Sequence, residues 1–307
     1  MLRFAIRRFA LALLVLLAVS IAAFSLVHIG GNVAVALAGE GARRADLEIV
    51  RKQYGLDQPL PVQYGRWLAR TVQGDLGESL FFKKPVVELV VGRLPVTMTL
   101  GVLAMSFALL LAVPLGILAA LRPNSWIDRI ALFIAVAGQA MPSFWFALLL
   151  IVWFGVGLRW LPISGSDTWR HFVMPTIALG YYATPAIMRL VRAGMIEVLE
   201  SDYIRTARAK GLPARTIVFK HALRNAVIPV VALAAVQLGL VLGGSVVIET
   251  VFALHGLGYL AWESINQNDL PVVQAVILLL SAIYIVLTLL SDIANAWLDP
   301  RLRLAGA

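Results

Sequence analysis

Six long apolar runs divide this chain, and each is long enough to cross a bilayer as a helix. Residues 9–29 form a run of 21, about 31 Å at 1.5 Å per residue, which covers a hydrocarbon core. Arg3, Arg7 and Arg8 precede it, a flank that also suits a signal peptide. The apolar stretch of a signal is only about 7–15 residues, so this run is read as an uncleaved first helix. Further spans fall near residues 96–121, 130–156, 173–190, 226–248 and 272–293.

Between the first two runs lies a long polar segment, residues 30–94. Within it, residues 42–54 carry Leu47 and Val50 at helical spacing, and Gly55 follows as a stop. Pro61 opens a second stretch, PVQYGRWLARTV, with Trp67 and Leu68 set among polar residues. Two short amphipathic helices on the outer membrane surface account for both patterns. A cap packed on the outer helix ends and a contact surface for a partner are equally consistent with them.

Composition agrees. Of 307 residues 60% are hydrophobic and 14% charged, against about 25% charged in soluble domains. The net charge of +9 would point to nucleic acid if the basic residues formed one patch, but they follow topology instead. With the N-terminus inside, 15 of the 26 Lys and Arg fall in cytoplasmic segments and only Arg159 and Arg170 in the two short outer loops. The other nine lie in residues 30–94, a segment long enough to escape the positive-inside rule. The predicted arrangement is N-in and C-in, with membrane lipid as a partner and nucleic acid excluded. Cysteine is absent, so thiolate chemistry is excluded too. His28, His171, His221 and His255 are scattered without metal-ligand spacing; they are read as interfacial or loop histidines, with no metal site.

The span interiors are almost free of ionisable groups. Arg189, Arg192, Glu249 and Asp292 sit near span ends, where arginines snorkel and carboxylates are expected to reach water. An ion-coupled secondary carrier needs titratable groups at depth, so that alternative loses ground. An intramembrane hydrolase needs an activated nucleophile; Gly243-Gly244-Ser245 resembles the surroundings of one, but no span supplies a histidine or lysine to activate it. Neutral polar residues at depth, Gln139, Thr184, Gln237, Ser245 and Gln274, suit interhelical bonding or a watery path. None is assigned to substrate. Pro114, Pro142, Pro175, Pro185 and Pro229 each permit a kink. Gly239 and Gly243 form a small-xxx-small pair for close helix packing. The Gly256–Gly258 stretch only superficially fits a dinucleotide fingerprint, and no phosphate-cradling GxxxxGK[ST] occurs.

The segment richest in chemistry is ESDYIRTARAKGLPARTIVFKHALRNAVIPV, residues 200–230, between the fourth and fifth spans. Ser201 or Asp202 is placed to cap a short helix through Lys210, and Gly211 to end it in the left-handed region. Pro213 sits near the first turn of a following helix. Tyr203, Ala207 and Lys210 share a face, and Ala207 and Ala209 keep the profile low. A simple surface linker would do with far fewer residues, since helix connections usually take 2–8. The shape is that of a helix presented to a groove on another protein.

The motifs DYIRTARAKGL and HALRNAVIPV resemble the coupling segment of the dipeptide/oligopeptide/nickel branch of ABC-importer permeases. YGLDQPLPVQYGRWL, GDLGESL, RLPVTMTL, GLGYL and LDPRLR match the same branch in order along nearly the whole length. The resemblance implies an all-α membrane protein of six transmembrane helices with the type I importer fold. It implies residues 1–93 as first helix and extracytoplasmic segment, 94–296 as transmembrane core and 297–307 as cytoplasmic tail. It also implies a bacterial inner-membrane location, a second homologous permease, two ATPase subunits and an extracytoplasmic binding protein. ATP and Mg would sit on the ATPases, with no cofactor and no catalysis on this chain. The coupling residues carried over are Asp202, Tyr203, Arg205, Ala207, Arg208, Lys210, Gly211 and Leu212. Two departures stand out: Arg205-Thr206-Ala207 replaces the glutamate-alanine-alanine of most importers, and His255 stands where the branch usually has proline. Dipeptides, oligopeptides, glutathione and nickel chelates are all handled within the branch.

Overall fold

The computed structural model describes residues 2–29, 35, 43–53 and 55–298; the LDPRLR motif is largely, and the last nine residues of the predicted tail are wholly, outside them. Regular structure among the described residues is helical, apart from one isolated bridge between Glu78 and Pro85. In order the helices are α1 (Leu2–Ile29), α2 (Arg44–Gln53), α3 (Leu60–Val72), α4 (Val86–Leu121), α5 (Trp126–Ala140) and α6 (Ser143–Leu150), which runs into a π turn at Ile151–Gly157. A 3₁₀ turn at Trp169–Phe172 leads to α7 (Val173–Leu199), followed by the short α8 (Asp202–Ala209). The helix α9 joins Ala214–Thr216, a π turn at Ile217–Ala222 and Leu223–Ala226. Last come α10 (Ile228–Val251), α11 (Leu257–Asn266) and α12 (Leu270–Leu298).

Helices α1, α4, α10 and α12 are each long and apolar enough to cross a membrane. The predicted third span is not one rod. Its two legs, α5 and the α6 unit, meet at 102°, because Pro142 cannot donate to the α5 ladder and drives Met141 out of the helical region to φ −104°, ψ 136°. The predicted fourth span, α7, is long enough at 27 residues but is not among the helices apolar enough for lipid. Its neighbours explain this: twelve of its residues, including Thr184 and Pro185, are buried within the bundle.

The centre of the bundle is the α4–α7 contact, made by small residues. A Cβ on Gly180 would lie 2.4 Å from the Ala104 carbonyl oxygen, and one on Gly116 would lie 2.7 Å from Val191 Cγ1. Ala104, Ala108 and Ala112 are fully buried along the same stripe. Van der Waals packing holds such pairs, since lipid tails are as apolar as the side chains. The predicted small-residue pair on α10 divides its roles. A Cβ on Gly239 would lie 2.4 Å from the Tyr284 ring of α12, whereas Gly243 and Gly244 have open space.

Outer elements pack as a cap, so that of the two readings of the 30–94 segment the described part of α3 supports contact with the bundle. Tyr64 and Trp67 surround Phe24 of α1 with ring centroids 5.4 and 5.6 Å away, and the hydroxyls of Tyr64 and Ser20 lie 2.7 Å apart. At the opposite end of α1, Arg8 pairs with Asp292 of α12 at 2.8 Å. The two ends of the described chain therefore share one side, as an N-in, C-in arrangement requires.

Gly180→Ala is expected to force α4 and α7 apart and to cost about 1–3 kcal/mol. Gly243→Ala, with nothing near its Cβ, serves as the control. Thermal unfolding of the purified chain in detergent checks both, and equal midpoints would contradict the backbone contact.

Candidate functional site

Eight residues make α8, and only two of them face the protein. Ile204 is fully buried and Ala207 is 8% exposed; both join the main apolar core, which also takes in Ile217, Val218 and Ala222 of α9. The three-residue spacing of Ile204 and Ala207 puts them on one helix face. The rest of the helix projects. Asp202, Tyr203, Arg205, Arg208, Lys210, Gly211 and Leu212 are all exposed, and the Asp202 side chain keeps 91% of its surface. Of the predicted coupling residues Ala207 alone is turned inward, as the anchor of the helix.

The ends of α8 are set locally. Ser201 occupies the N-cap position with extended dihedrals, but its hydroxyl donates backward to the Val198 carbonyl at 2.6 Å and caps no N–H of α8. Asp202 places its carboxylate in the first turn, where the helix dipole favours it, and pairs with Arg205 at 2.9 Å. Gly211 ends the helix at φ +74°. The Gly211 N–H donates to the Arg208 carbonyl at 2.9 Å and the Leu212 N–H to the Ala207 carbonyl at 3.3 Å, the paired closure of a Schellman motif. No heavy atom approaches a Cβ at Gly211, so only its backbone conformation calls for glycine.

Behind the protruding helix the chain is tightly joined to the bundle. Asn225 of α9 donates to the Tyr203 hydroxyl at 2.7 Å. A Cβ on Gly194 of α7 would lie 3.1 Å from the Ala226 carbonyl oxygen, so α7 and α9 touch through their backbones. Pro213, at φ −66° and ψ 145°, is the N-cap of α9.

At the other end of the bundle lies a carboxylate expected at the water boundary. Glu249 is instead fully buried. It accepts from Thr97 Oγ1 at 2.8 Å, Ser245 Oγ at 2.9 Å, and the N–H groups of Gly258 and Tyr259 at 2.7 and 3.1 Å. Thr97 in turn accepts from the Leu257 N–H at 2.8 Å. The first turn of α11 is thus held by a carboxylate at its positive end, and α4 and α10 are tied to it. This gives the GLGYL stretch its physical sense: a Cβ on Gly256 would lie 2.4 Å from Glu249 Oε2, and one on Gly258 would lie 2.5 Å from Val246 Cα. Four protein donors saturate the carboxylate, so it offers no ion site of the kind a coupled carrier uses. Ser245 is occupied by Leu242 O at 2.8 Å and by Glu249, an arrangement for packing rather than nucleophilic attack.

Sequence patterns also pass over Asp269, a fully buried residue before α12. Its carboxylate accepts from Ser79 Oγ and from the N–H groups of Leu80 and Phe81 at 3.0 and 3.2 Å. That bond clamps the GDLGESL loop onto the bundle. An acidic residue beside a tight turn, facing a run of N–H donors, was the only signal available.

The described chain is a helical bundle with a short helix displayed at one end. Two solved transporter chains share the fold. A chain of the inward-facing MetNI methionine ABC transporter aligns with TM-score 0.58 at 21% identity, covering 69% of this chain and 96% of that one. A chain of an amino acid ABC transporter with histidines aligns with TM-score 0.50 at 17% identity, covering 70% and 94%. Residues 112–304 match the binding-protein-dependent transport system inner membrane component family, and residues 1–101 match its N-terminal model. The chain belongs to that family and is the permease component of an ABC importer. It is 41% identical over 304 residues, 99% of each chain, to the glutathione transport system permease protein GsiC of Escherichia coli O6:H1. The same identity and coverage hold for GsiC of Pectobacterium atrosepticum.

Glu249→Ala is expected to leave several buried donors unpaired, at about 1–3 kcal/mol for each such group. Glu88→Ala removes only an exposed contact to Lys84 at 3.7 Å and should cost less than about 1 kcal/mol. The unfolding midpoints of the two variants measure the difference, and equal values would contradict the network.

Proposed function

We propose that this chain lines a path across the bacterial inner membrane for glutathione or short peptides, together with a second homologous permease. An extracytoplasmic binding protein delivers the cargo. Two ATPase subunits, which carry ATP and Mg, each grip the coupling helix of one permease. The observation that carries this reading is the form of α8, a helix held by Ile204, Ala207 and the Tyr203 hydroxyl with its remaining residues presented outward. Its exposed Tyr203, Arg205 and Arg208 offer polar and cationic groups to a partner's cleft, and its placement two residues after α7 joins it directly to a central helix of the bundle.

Orientation follows from charge. The end bearing α8 also bears Arg122, Arg129, Arg189, Arg192, Arg205, Arg208, Lys210, Arg215, Lys220 and Arg224, a distribution that favours the cytoplasm. ATP binding closes the ATPase pair and draws the two α8 helices together. The bundle then shifts between inward and outward access because nucleotide has a higher affinity for the closed arrangement. The 41% identity to glutathione permeases over nearly the full length supports a peptide-like cargo. Selectivity rests largely on the binding protein.

Gly211→Leu tests the coupling role. A side chain at φ +74° costs about 1–2 kcal/mol, too little to prevent insertion but enough to distort the end of α8. With the partner gripping only the undistorted helix end, that cost falls on the gripped state. At about 1.4 kcal/mol per factor of ten in an equilibrium, uptake should fall roughly tenfold at equal membrane abundance. Wild-type uptake by Gly211→Leu would remove α8 from the coupling role. Native mass spectrometry of the binding protein recovered with the complex should show glutathione or a short peptide; a nickel chelate there would reassign the cargo.

A further inference from the structure

At the α8 end of the bundle, a bidentate ion pair joins two helices. Arg192 of α7 donates from Nε to Asp128 Oδ1 at 2.7 Å and from Nη2 to Oδ2 at 2.6 Å. The Asp128 side chain is 3% exposed and that of Arg192 is 24% exposed. Asp128 Oδ2 also accepts from the Asn124 N–H at 2.9 Å, where Asn124 turns the α4–α5 connection at φ +62°. One carboxylate therefore fixes the start of α5, the loop leading into it and α7.

Stability does not explain such a pair. Replacing a buried ion pair by apolar residues of similar size is often neutral or stabilising, whereas removing one partner alone is costly. What the fork geometry supplies is direction and register, which an apolar contact does not. Helix α5 needs this more than its neighbours. Beyond α4, its packing is on α7, while Trp126, Ile130 and Phe133 are exposed. Its far end is cut from α6 by the 102° elbow.

Two more contacts extend the bond along α5. The Tyr181 hydroxyl donates to the Ile134 carbonyl, and a Cβ on Gly138 would lie 2.8 Å from the Tyr181 carbonyl oxygen. The three attachments span α5 from its first turn almost to the elbow. Helix α7 ends only two residues before α8. A push on α8 is thus delivered to α7, and from α7 across Arg192–Asp128 to α5.

We infer that Asp128 and Arg192 are positioning residues, a strut that makes the α5 elbow at residues 139–142 follow the displacement of α8. The inference rests on the proposal that partner ATPases act on α8. It adds that this pair carries most of the load to α5, with the Tyr181 contacts at Ile134 and Gly138 carrying the remainder.

This chain has no native cysteine, so with partner cysteines replaced, site-directed spin labels on it report alone in the full importer complex, reconstituted in lipid nanodiscs. One label is placed at Lys220→Cys, beside α8, and another, in a separate preparation, at Gln139→Cys at the elbow. The probe is a non-hydrolysable ATP analogue with Mg. With the pair intact, nucleotide should change the environment of both labels. With Asp128→Asn, the label at 220 should keep its response while the label at 139 loses more than half of its own. Arg192→Lys, which keeps the charge but loses the fork, should give an intermediate loss at 139 and serves as the second variant if the first assembles poorly. An undiminished response at 139 in both variants overturns the strut. Loss of response at 220 with the pair intact overturns instead the proposal that ATPases act on α8, so the two failures are distinguishable.

Discussion

Helix α7 is too polar to stand against lipid, and the rest of the bundle is arranged around that constraint. It carries Thr176, Thr184, Arg189 and Arg192 along one 27-residue rod, and a polar group in hydrocarbon without a partner costs several kcal/mol. Contact with α4, α5, α9 and α10 covers the face that carries Thr184, while Tyr182, Arg189 and Glu197 stay exposed along another. Close contact in turn demands small residues, and these recur where α7 is touched: Ala104 and Gly116 on α4, Gly138 on α5, Ala226 on α9. Thr184 closes its own bond to the Gly180 carbonyl at 3.0 Å. The same helix that packs against these four is the one that continues into α8. A central helix transmits displacement to every neighbour it touches.

Three buried carboxylates distribute directional bonds over the ends of this apolar bundle. Asp128 works at the α8 end, Glu249 and Asp269 at the opposite end. Each accepts from backbone N–H groups at a turn and from a side chain elsewhere in the chain. Apolar packing is non-directional, so helices held by it alone can slide against one another. Bonds gathered at the ends fix register, with the Tyr181–Ile134 bond between α7 and α5 as an addition farther along. The outer pair of carboxylates ties short elements, the 79–82 loop and α11, to long helices. The inner one ties a long helix to another long helix.

Much of this is legible in the sequence, and the parts that are not share a cause. The apolar runs and the basic clusters are sums over many residues that agree, and Gly211 marks its turn because few residues accept a positive φ. The motifs at residues 202–212 and 221–230 that resemble a coupling segment contain and follow α8, which projects in the structure. Which face of α8 is anchored is not legible, because Ala207 is small enough for either role and Ile204 is its only clearly apolar partner. Glu249 is misplaced for a similar reason. Its position near the end of an apolar run puts it at the water boundary on length alone, whereas α11 folds back over it and supplies the donors. The elbow at Pro142 is signalled only as a kink; that two legs of a single apolar run diverge by 102° depends on α7 holding α5 in place.

That elbow places a further demand on the molecule. The last four carbonyls of any α-helix lack partners within it, and at the end of α5 they lie about 22 Å along a 15-residue helix. Irregular backbone at such depth is tolerated only where protein or a water-filled cavity satisfies it. Gln139 and Ala140 are exposed on this chain, and an amide side chain facing lipid would be as unfavourable as the carbonyls beside it. Both are accommodated if the elbow faces water at the centre of an assembly. Gly243 and Gly244, with open space above them, likewise leave room for another surface on α10. The polar backbone at the elbow and the bare glycines on α10 therefore favour the proposed second permease, with the path between the two.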